Sequence, residues 1–264
     1  MARVIPLYSG SSGNSYYISS SGGSVLIDVG RSARQTALVL QNAGIDPAGI
    51  SGIFITHEHS DHIAGVRVFS EKYHIPVFAE EETMKGLFRA GVIGPKTEAL
   101  TLGPSGVSCG LMQITPFDTS HDTPKSCGYR VELPDGRIIS LFTDLGTVTE
   151  TVRDGLRGCD LAILESNHDP ELLRNGPYPY PLKQRILSER GHLSNLDCAQ
   201  EITALALNGT ARFLLAHLSR ENNTPRLAFD CSNSALEAIG MKRGTDYELW
   251  VAPVFNEAGR GILL

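Results

Sequence analysis

The run Thr56-His57-Glu58-His59-Ser60-Asp61-His62 constrains this chain more than any other stretch. Upstream, Gly52-Ile53-Phe54-Ile55-Thr56 is mostly β-branched or aromatic and reads as a buried strand. Downstream, Ile63 to Phe69 spaces its apolar residues as a helix does, and that helix is expected to reach about Tyr73. The polar cluster therefore sits between the C-terminal end of a strand and the start of a helix, the edge at which open α/β sheets bind ligands. Neutral imidazoles and carboxylates suit zinc or manganese. His57 and His59 are two apart, so extended backbone points them the same way. Asp61 and His62 turn at the helix start towards a neighbouring point, which suggests two adjacent metal sites. A solvated polar loop would account for one histidine there, but not for three with Asp61 behind an apolar strand.

The rest of the chain repeats the strand-to-ligand pattern. Strands are expected at 4–8, 15–18, 24–27, 75–78, 111–116, 129–133, 137–142, 160–164, 213–216 and 247–251. Helices are expected at 34–43, 80–90, 149–156, 182–189, 196–207 and 226–239. The turn Ser9-Gly10-Ser11-Ser12-Gly13-Asn14 can cradle a phosphate, but it leads into a strand and so reads better as a hairpin turn. Asp28, at the end of a strand, either caps the next helix or braces the histidine loop. Later strands run into Asp118-Thr119-Ser120-His121, Thr143-Asp144, Glu165-Ser166-Asn167-His168 and His217. Sheets gather strand ends along one edge, so these residues can converge.

The inventory assigns His57, His59 and His121 to a first metal, Asp61, His62 and His217 to a second, and Asp144 between them. A hydroxide bridging two cations would be acidified and serve as a nucleophile. Glu165 and His192 are left over and can form a carboxylate–histidine proton relay. The alternative for His192 is a surface position before a helix, and for His168 a solvent-facing loop position, with a catalytic part as the other reading. Lys183, Arg185, Arg190 and Arg220 lie near these motifs. Such charges usually form a solvated face, yet here they can also touch substrate phosphates.

Composition narrows the classes. A net charge of −6 argues against a broad basic nucleic-acid footprint but leaves room for a local phosphate site. The five cysteines are widely spaced without a CxxC pair, so neither a disulfide framework nor a structural zinc site is expected. No apolar run approaches the ~20 residues of a membrane span. The N-terminus lacks the apolar region of a signal peptide, so a cytoplasmic protein is expected. Two similar halves of strands and helices suggest one four-layer αββα sandwich over 1–264.

These residues together resemble the metallo-β-lactamase fold superfamily. The run His57-x-His59-x-Asp61-His62 is its hallmark, and His121, Asp144 and His217 match its later ligands in order. The resemblance implies the αββα fold and two divalent ions, zinc or manganese, with iron as a further option. Aspartate at 144 resembles the phosphodiesterase and nuclease branches, whereas classical lactamases carry cysteine. The stretches Ser9–Ser15, Glu165–Asp169, Gly191–Asn195 and Ala216–Asn223 resemble the YycJ/WalJ-type proteins, which implies 5′-to-3′ DNA exonuclease activity. The tRNA 3′-processing endonucleases are also similar, and their catalytic glutamate and histidine would fall on Glu165 and His192. The chain has no room for their extruded arm between His121 and Asp144, nor for a β-CASP domain between Asp144 and His217. The resemblance thus implies a core-only nuclease acting on DNA. Its rivals are an RNA-processing nuclease, a hydrolase of cyclic phosphodiesters, lactones or thioesters, a flavoprotein or dioxygenase of the same fold, and a non-catalytic metal-binding scaffold.

Overall fold

The computed structural model describes residues 2–264. The first half supplies strands β1 (Arg3–Tyr8), β2 (Ser15–Ser20), β3 (Gly23–Ile27), β4 (Gly52–Phe54), β5 (Val77–Glu80) and β6 (Ala99–Leu102). The second half supplies β7 (Val107–Cys109), β8 (Met112–Asp118), β9 (Cys127–Glu132), β10 (Ile138–Phe142), β11 (Leu161–Glu165), β12 (Arg212–Ala216) and β13 (Glu248–Val251). A last strand, β14 (Ile262–Leu263), returns to the first half. Two seven-stranded sheets result, ordered β14-β1-β2-β3-β4-β5-β6 and β13-β12-β11-β10-β9-β8-β7. Each has one antiparallel flank and one parallel flank.

The strands read as continuous apolar runs because both faces are covered. Val25 and Ile27 enter the core between the sheets while Leu26 faces outwards, and Leu161 and Ile163 alternate with Ala162 and Leu164 in the same way. The inter-sheet core joins Val4, Tyr16 and Phe54 to Met112, Tyr129 and Ile163. Outside the first sheet lie α1 (Ala33–Asn42), α2 (Ser60–Ile63), α3 (Val66–Tyr73) and α4 (Glu81–Arg89). The second half contributes α5 (Glu150–Leu156), α6 (Pro170–Asn175), α7 (Tyr180–Ile186), α8 (Asn195–Leu207) and α9 (Pro225–Ala238), with α5, α8 and α9 covering the second sheet. Three apolar seams between four layers make the αββα sandwich.

The helix expected from Ile63 to Tyr73 is in fact broken at Gly65. There the backbone lies so close to the loop after β3 that a Cβ would sit 2.0 Å from the Arg31 carbonyl oxygen. Strands β6, β7 and β14 and helix α6 had no counterpart in the sequence reading. β6 is an edge strand whose Leu100 and Thr101 are exposed, and β14 is two residues long. Among the described residues no helix is long and apolar enough to cross a membrane. All five cysteines are free.

Candidate metal centre

Parallel strands deliver the site. β3 and β4 end at one edge of the first sheet. β8, β10, β11 and β12 all run the same way in the second, so their C-terminal ends share an edge as well. The two edges are tied together: Cys127 N–H donates to the Thr56 carbonyl (3.1 Å) and the Tyr129 hydroxyl to the Ile55 carbonyl (2.7 Å). Asp28, Asp144 and His217, each just beyond a strand, adopt left-handed backbone (φ 61°, 58° and 55°). Asp and His tolerate that region better than most residues, and such outliers gather at functional sites.

The ligand atoms of His57, His59 and His121 lie within 4.8 Å of one another, as do those of Asp61, His62 and His217 and those of His57, His62 and Asp144. The two triads named in the sequence analysis thus meet in space, with Asp144 alongside both. His57 Nε2, His217 Nε2 and Asp144 Oδ2 are buried without a hydrogen-bond partner; Asp144 Oδ2 lies 3.2 Å from His62 Nε2, but without the alignment of a bond. Buried polar atoms are seldom left unpaired. Three in one cluster of imidazoles and carboxylates fit a divalent cation.

The opposite ring nitrogens are fixed by neighbours. Asp28 does not cap α1; Ser32 does. Instead Asp28 accepts from Thr56 N (2.9 Å), Thr56 Oγ1 (2.8 Å) and His62 Nδ1 (2.8 Å). Because the Thr56 hydroxyl donates to Asp28, it accepts from His57 Nδ1 at 3.0 Å. His121 Nδ1 donates to the Gly191 carbonyl (3.2 Å). Each such bond places the proton on Nδ1 and turns the Nε2 lone pair towards the centre. Gly30 permits this packing: a Cβ there would fall 1.7 Å from the Asp61 carbonyl oxygen. Asn14, buried, ties the serine–glycine turn to the site through Nδ2, 3.0 Å from His62 Nε2. Neither Thr56 nor Asn14 was singled out from sequence. Both sit inside quoted motifs, where their polar side chains were the available signal.

Glu165 is completely buried and has two tasks. Its Oε1 accepts from His192 Nδ1 and from His217 Nδ1, both at 2.8 Å. Its Oε2 accepts from the backbone N–H groups of Leu145 (2.6 Å) and Leu193 (3.4 Å). The sequence pointed to the first partnership only. Glu165 also lies within ligand distance of Asp144, His192 and His217, but four donors already occupy its oxygens.

Burial opposes charge on all these groups, and neighbours decide the sign. It keeps His57 well below the usual histidine range, helped by His62, and depresses His121 too. At His62, burial is outweighed by Asp144 and Asp28, which hold it well above that range. At His217, burial yields to Asp144 and Glu165, which raise it to about 9. Burial would raise Glu165, yet His192 and His217 bring it down to about 2. In turn Glu165 outweighs the burial of His192 and raises it. A histidine whose proton is held more tightly by a neighbouring buried carboxylate is the arrangement of a general acid.

The cavity over the cluster, about 230 Å³, is lined by His59, Asp61, His121, Asp144, His192 and His217, with Tyr178 and Arg185 at its wall. A larger cavity of about 870 Å³, mostly apolar around Trp250 and Phe255, lies away from every one of these groups. The basic residues divide. Arg185 pairs with Asp122 beside the cavity. Arg190 donates to the carbonyls of His121 (3.0 Å) and Thr123 (2.9 Å), and Lys183 to that of Arg174 (2.7 Å). His168 is buried, not solvent-facing; both ring nitrogens lack a partner, and burial pushes its pKa down to about 4. It lines a separate cavity of about 410 Å³ that shares His192 as a wall.

Comparison with known proteins gives these features a context. A β-lactamase superfamily domain matches residues 24–218. The exodeoxyribonuclease YycJ of Bacillus anthracis is 35% identical over 246 residues, covering 92% of both chains. The exodeoxyribonuclease WalJ of Streptococcus pneumoniae is 36% identical over 248 residues, covering 92% of this chain and 91% of that one. The metallo-β-lactamase fold protein YhfI of Bacillus subtilis superposes with a TM-score of 0.72 at 17% identity, covering 99% of this chain and 98% of that one.

Proposed function

This chain belongs to the metallo-β-lactamase superfamily, among relatives of the YycJ/WalJ type, and from that premise we propose that it is a metal-dependent phosphodiester hydrolase, a 5′-to-3′ DNA exonuclease. One observation carries the reading: the fully buried Glu165 accepts from His192 Nδ1 at 2.8 Å, and this carboxylate–histidine pair, with His192 at the cavity wall, abuts the cluster of imidazoles and carboxylates. A lone metal-storage or scaffolding site has no use for a carboxylate-held histidine at its rim.

In this reading His57, His59 and His121 would hold one ion and Asp61, His62 and His217 a second, with Asp144 within reach of both groups. Divalent ions held there supply positive charge to the scissile phosphate and lower the pKa of water. Asp28, Thr56 and the Gly191 carbonyl keep the imidazoles aimed. Asp61, at the cavity wall, orients the attacking water. His192 gives the departing oxygen its proton from Nε2, since its Nδ1 proton is held by Glu165. The ions would be zinc or manganese, with iron a further option, the chain acts as one domain without an inserted arm, and it works in the cytoplasm.

The test couples elemental analysis of the purified protein to digestion of end-labelled single- and double-stranded DNA and RNA. Retained divalent metal and stepwise shortening of DNA from its 5′ end are expected. A second reading has one observation in its favour: 230 Å³ is small against the ~300–1,000 Å³ of ordinary ligand pockets and suits a compact phosphodiester. Protein that leaves every nucleic acid intact yet hydrolyses a cyclic phosphodiester would replace the first reading with the second.

A further inference from the structure

The turn Ser9-Gly10-Ser11-Ser12-Gly13-Asn14 joins β1 to β2 as a hairpin. Its backbone is not a phosphate cradle, because the amides of Gly10, Gly13 and Asn14 are consumed by Asn14 Oδ1, the Gly10 carbonyl and the Asp61 carbonyl. It does something else. Arg31, from the loop after β3, lays its side chain flat across Gly13; a Cβ at Gly13 would lie 2.7 Å from Arg31 Cγ and 2.8 Å from Cδ. The guanidinium sits over the Tyr8 ring, 5.7 Å from its centroid, and Arg31 Nη2 donates to Ser12 Oγ at 3.1 Å. From the other side Arg220 Nη2 donates to the same oxygen at 2.5 Å.

Two cations thus meet at one neutral hydroxyl. Among the described residues, neither Arg31 nor Arg220 has a carboxylate oxygen within 4.0 Å, although eight of the seventeen arginines of this chain do. Arg31 Nε is buried and has no partner at all. In a chain of net charge −6, this is a local site of opposite sign whose hydrogen-bond capacity is unspent. Two guanidinium forks on one point match the oxygens of a phosphate. Position agrees: Ser11 and Ser219, the chain neighbours of Ser12 and Arg220, line the cavity over the metal cluster.

We infer that Arg31, Ser12 and Arg220 form a seat for a second, non-scissile phosphate of the substrate, displacing the two arginines from their shared hydroxyl. That this phosphate belongs to a nucleic-acid strand rests on the function proposed above; the preference for a phosphate oxyanion does not. The seat holds either an internal phosphodiester or a terminal 5′-phosphate.

The test is fluorescence anisotropy of a short labelled thymidine oligonucleotide, in 5′-hydroxyl and 5′-phosphate forms, titrated across a salt series. Wild type, Arg31→Gln, Arg31→Lys and Arg31→Gln/Arg220→Gln are compared, with circular dichroism as the folding control. Each arginine lost should weaken binding about tenfold. The double substitution should reduce the slope of log K against log salt by about 0.7, the value for one phosphate contact on a single strand. Arg31→Lys should restore most of the slope. A change in both forms identifies an internal diester, and a change confined to the phosphorylated form identifies the terminus. A folded double variant with unchanged slope, or wild type that binds neither form, overturns the seat. The outcomes separate from those for the function: wild type that binds with the expected slope but cleaves nothing refutes the nuclease and leaves the seat standing.

Discussion

Replacing Glu165 by glutamine keeps the shape and removes one charge, and its consequence can be worked through atom by atom. The carboxylate takes four donors, two imidazole Nδ1 and two backbone amides. A glutamine offers one oxygen and one NH₂. If its oxygen faces His192 and His217, its NH₂ meets the N–H groups of Leu145 and Leu193, donor against donor. If it flips, the NH₂ faces both imidazoles and drives their protons to Nε2, where His217 would then present N–H to a metal. Either way a buried donor goes unmet, at about 1–3 kcal/mol. The two charge-assisted bonds at 2.8 Å become neutral or vanish. Loss of a positioned general acid costs about 10²–10⁴ in kcat, and loss of a group that orients a metal-bound histidine about 10–100-fold in metal affinity. Glu165→Gln is therefore expected to fail on both counts, whereas His192→Ala fails in kcat alone. The assay is kcat on an end-labelled oligonucleotide at saturating metal, beside metal content after dialysis, for both single variants and the double. The double should match His192→Ala in kcat and Glu165→Gln in metal retention. Glu165→Gln protein with wild-type metal affinity and kcat within about threefold would refute the shared-carboxylate argument.

Other expectations follow from the same geometry. Asp28→Ala removes the partner of His62 Nδ1 and should weaken metal binding about 10–100-fold, read by competition with a chromogenic chelator. Gly30→Ala puts a methyl 1.7 Å from the Asp61 carbonyl, so metal content and melting temperature should both fall, whereas the open position Gly49 should accept alanine with little change. Arg190→Gln frees the carbonyls of His121 and Thr123 and should alter metal retention, leaving the salt dependence of DNA binding as in wild type. Because Glu165 raises the pKa of His192, kcat/KM should decline on the alkaline side as that proton is lost; with Glu165→Gln the decline should move to lower pH.

The sequence disclosed the site because its chemistry is concentrated at strand ends. Once β10, β11 and β12 are read as apolar runs, Asp144 and His217 fall just beyond β10 and β12, and Glu165 closes β11. What it could not disclose depends on register and backbone form. Glu165 pairs opposite Ala216 across β11 and β12, and only that register brings its carboxylate beside His217 as well as His192. The left-handed turns at Asp28, Asp144 and His217 are likewise imposed by packing, with no glycine to announce them. Charge near a motif is ambiguous for a similar reason. Arg190 and Arg220 look alike in the sequence, but one is bound to two carbonyls while the other shares a hydroxyl with a second arginine.

The tie between the two sheet edges at Thr56 and Cys127 has a mechanical meaning. On the proposed ligand set, each ion takes donors from both halves of the chain: His57 and His59 with His121, Asp61 and His62 with His217. Bound metal is then a cross-brace over a seam between two layers that are otherwise joined by apolar packing and a few hydrogen bonds, those of Cys127 to Thr56 and Tyr129 to Ile55 among them. Free metal at 100 times its dissociation constant would add about 2.7 kcal/mol against separation of the halves. A chelator would remove that brace, and any loosening of one sheet against the other would draw apart the donors of each ion.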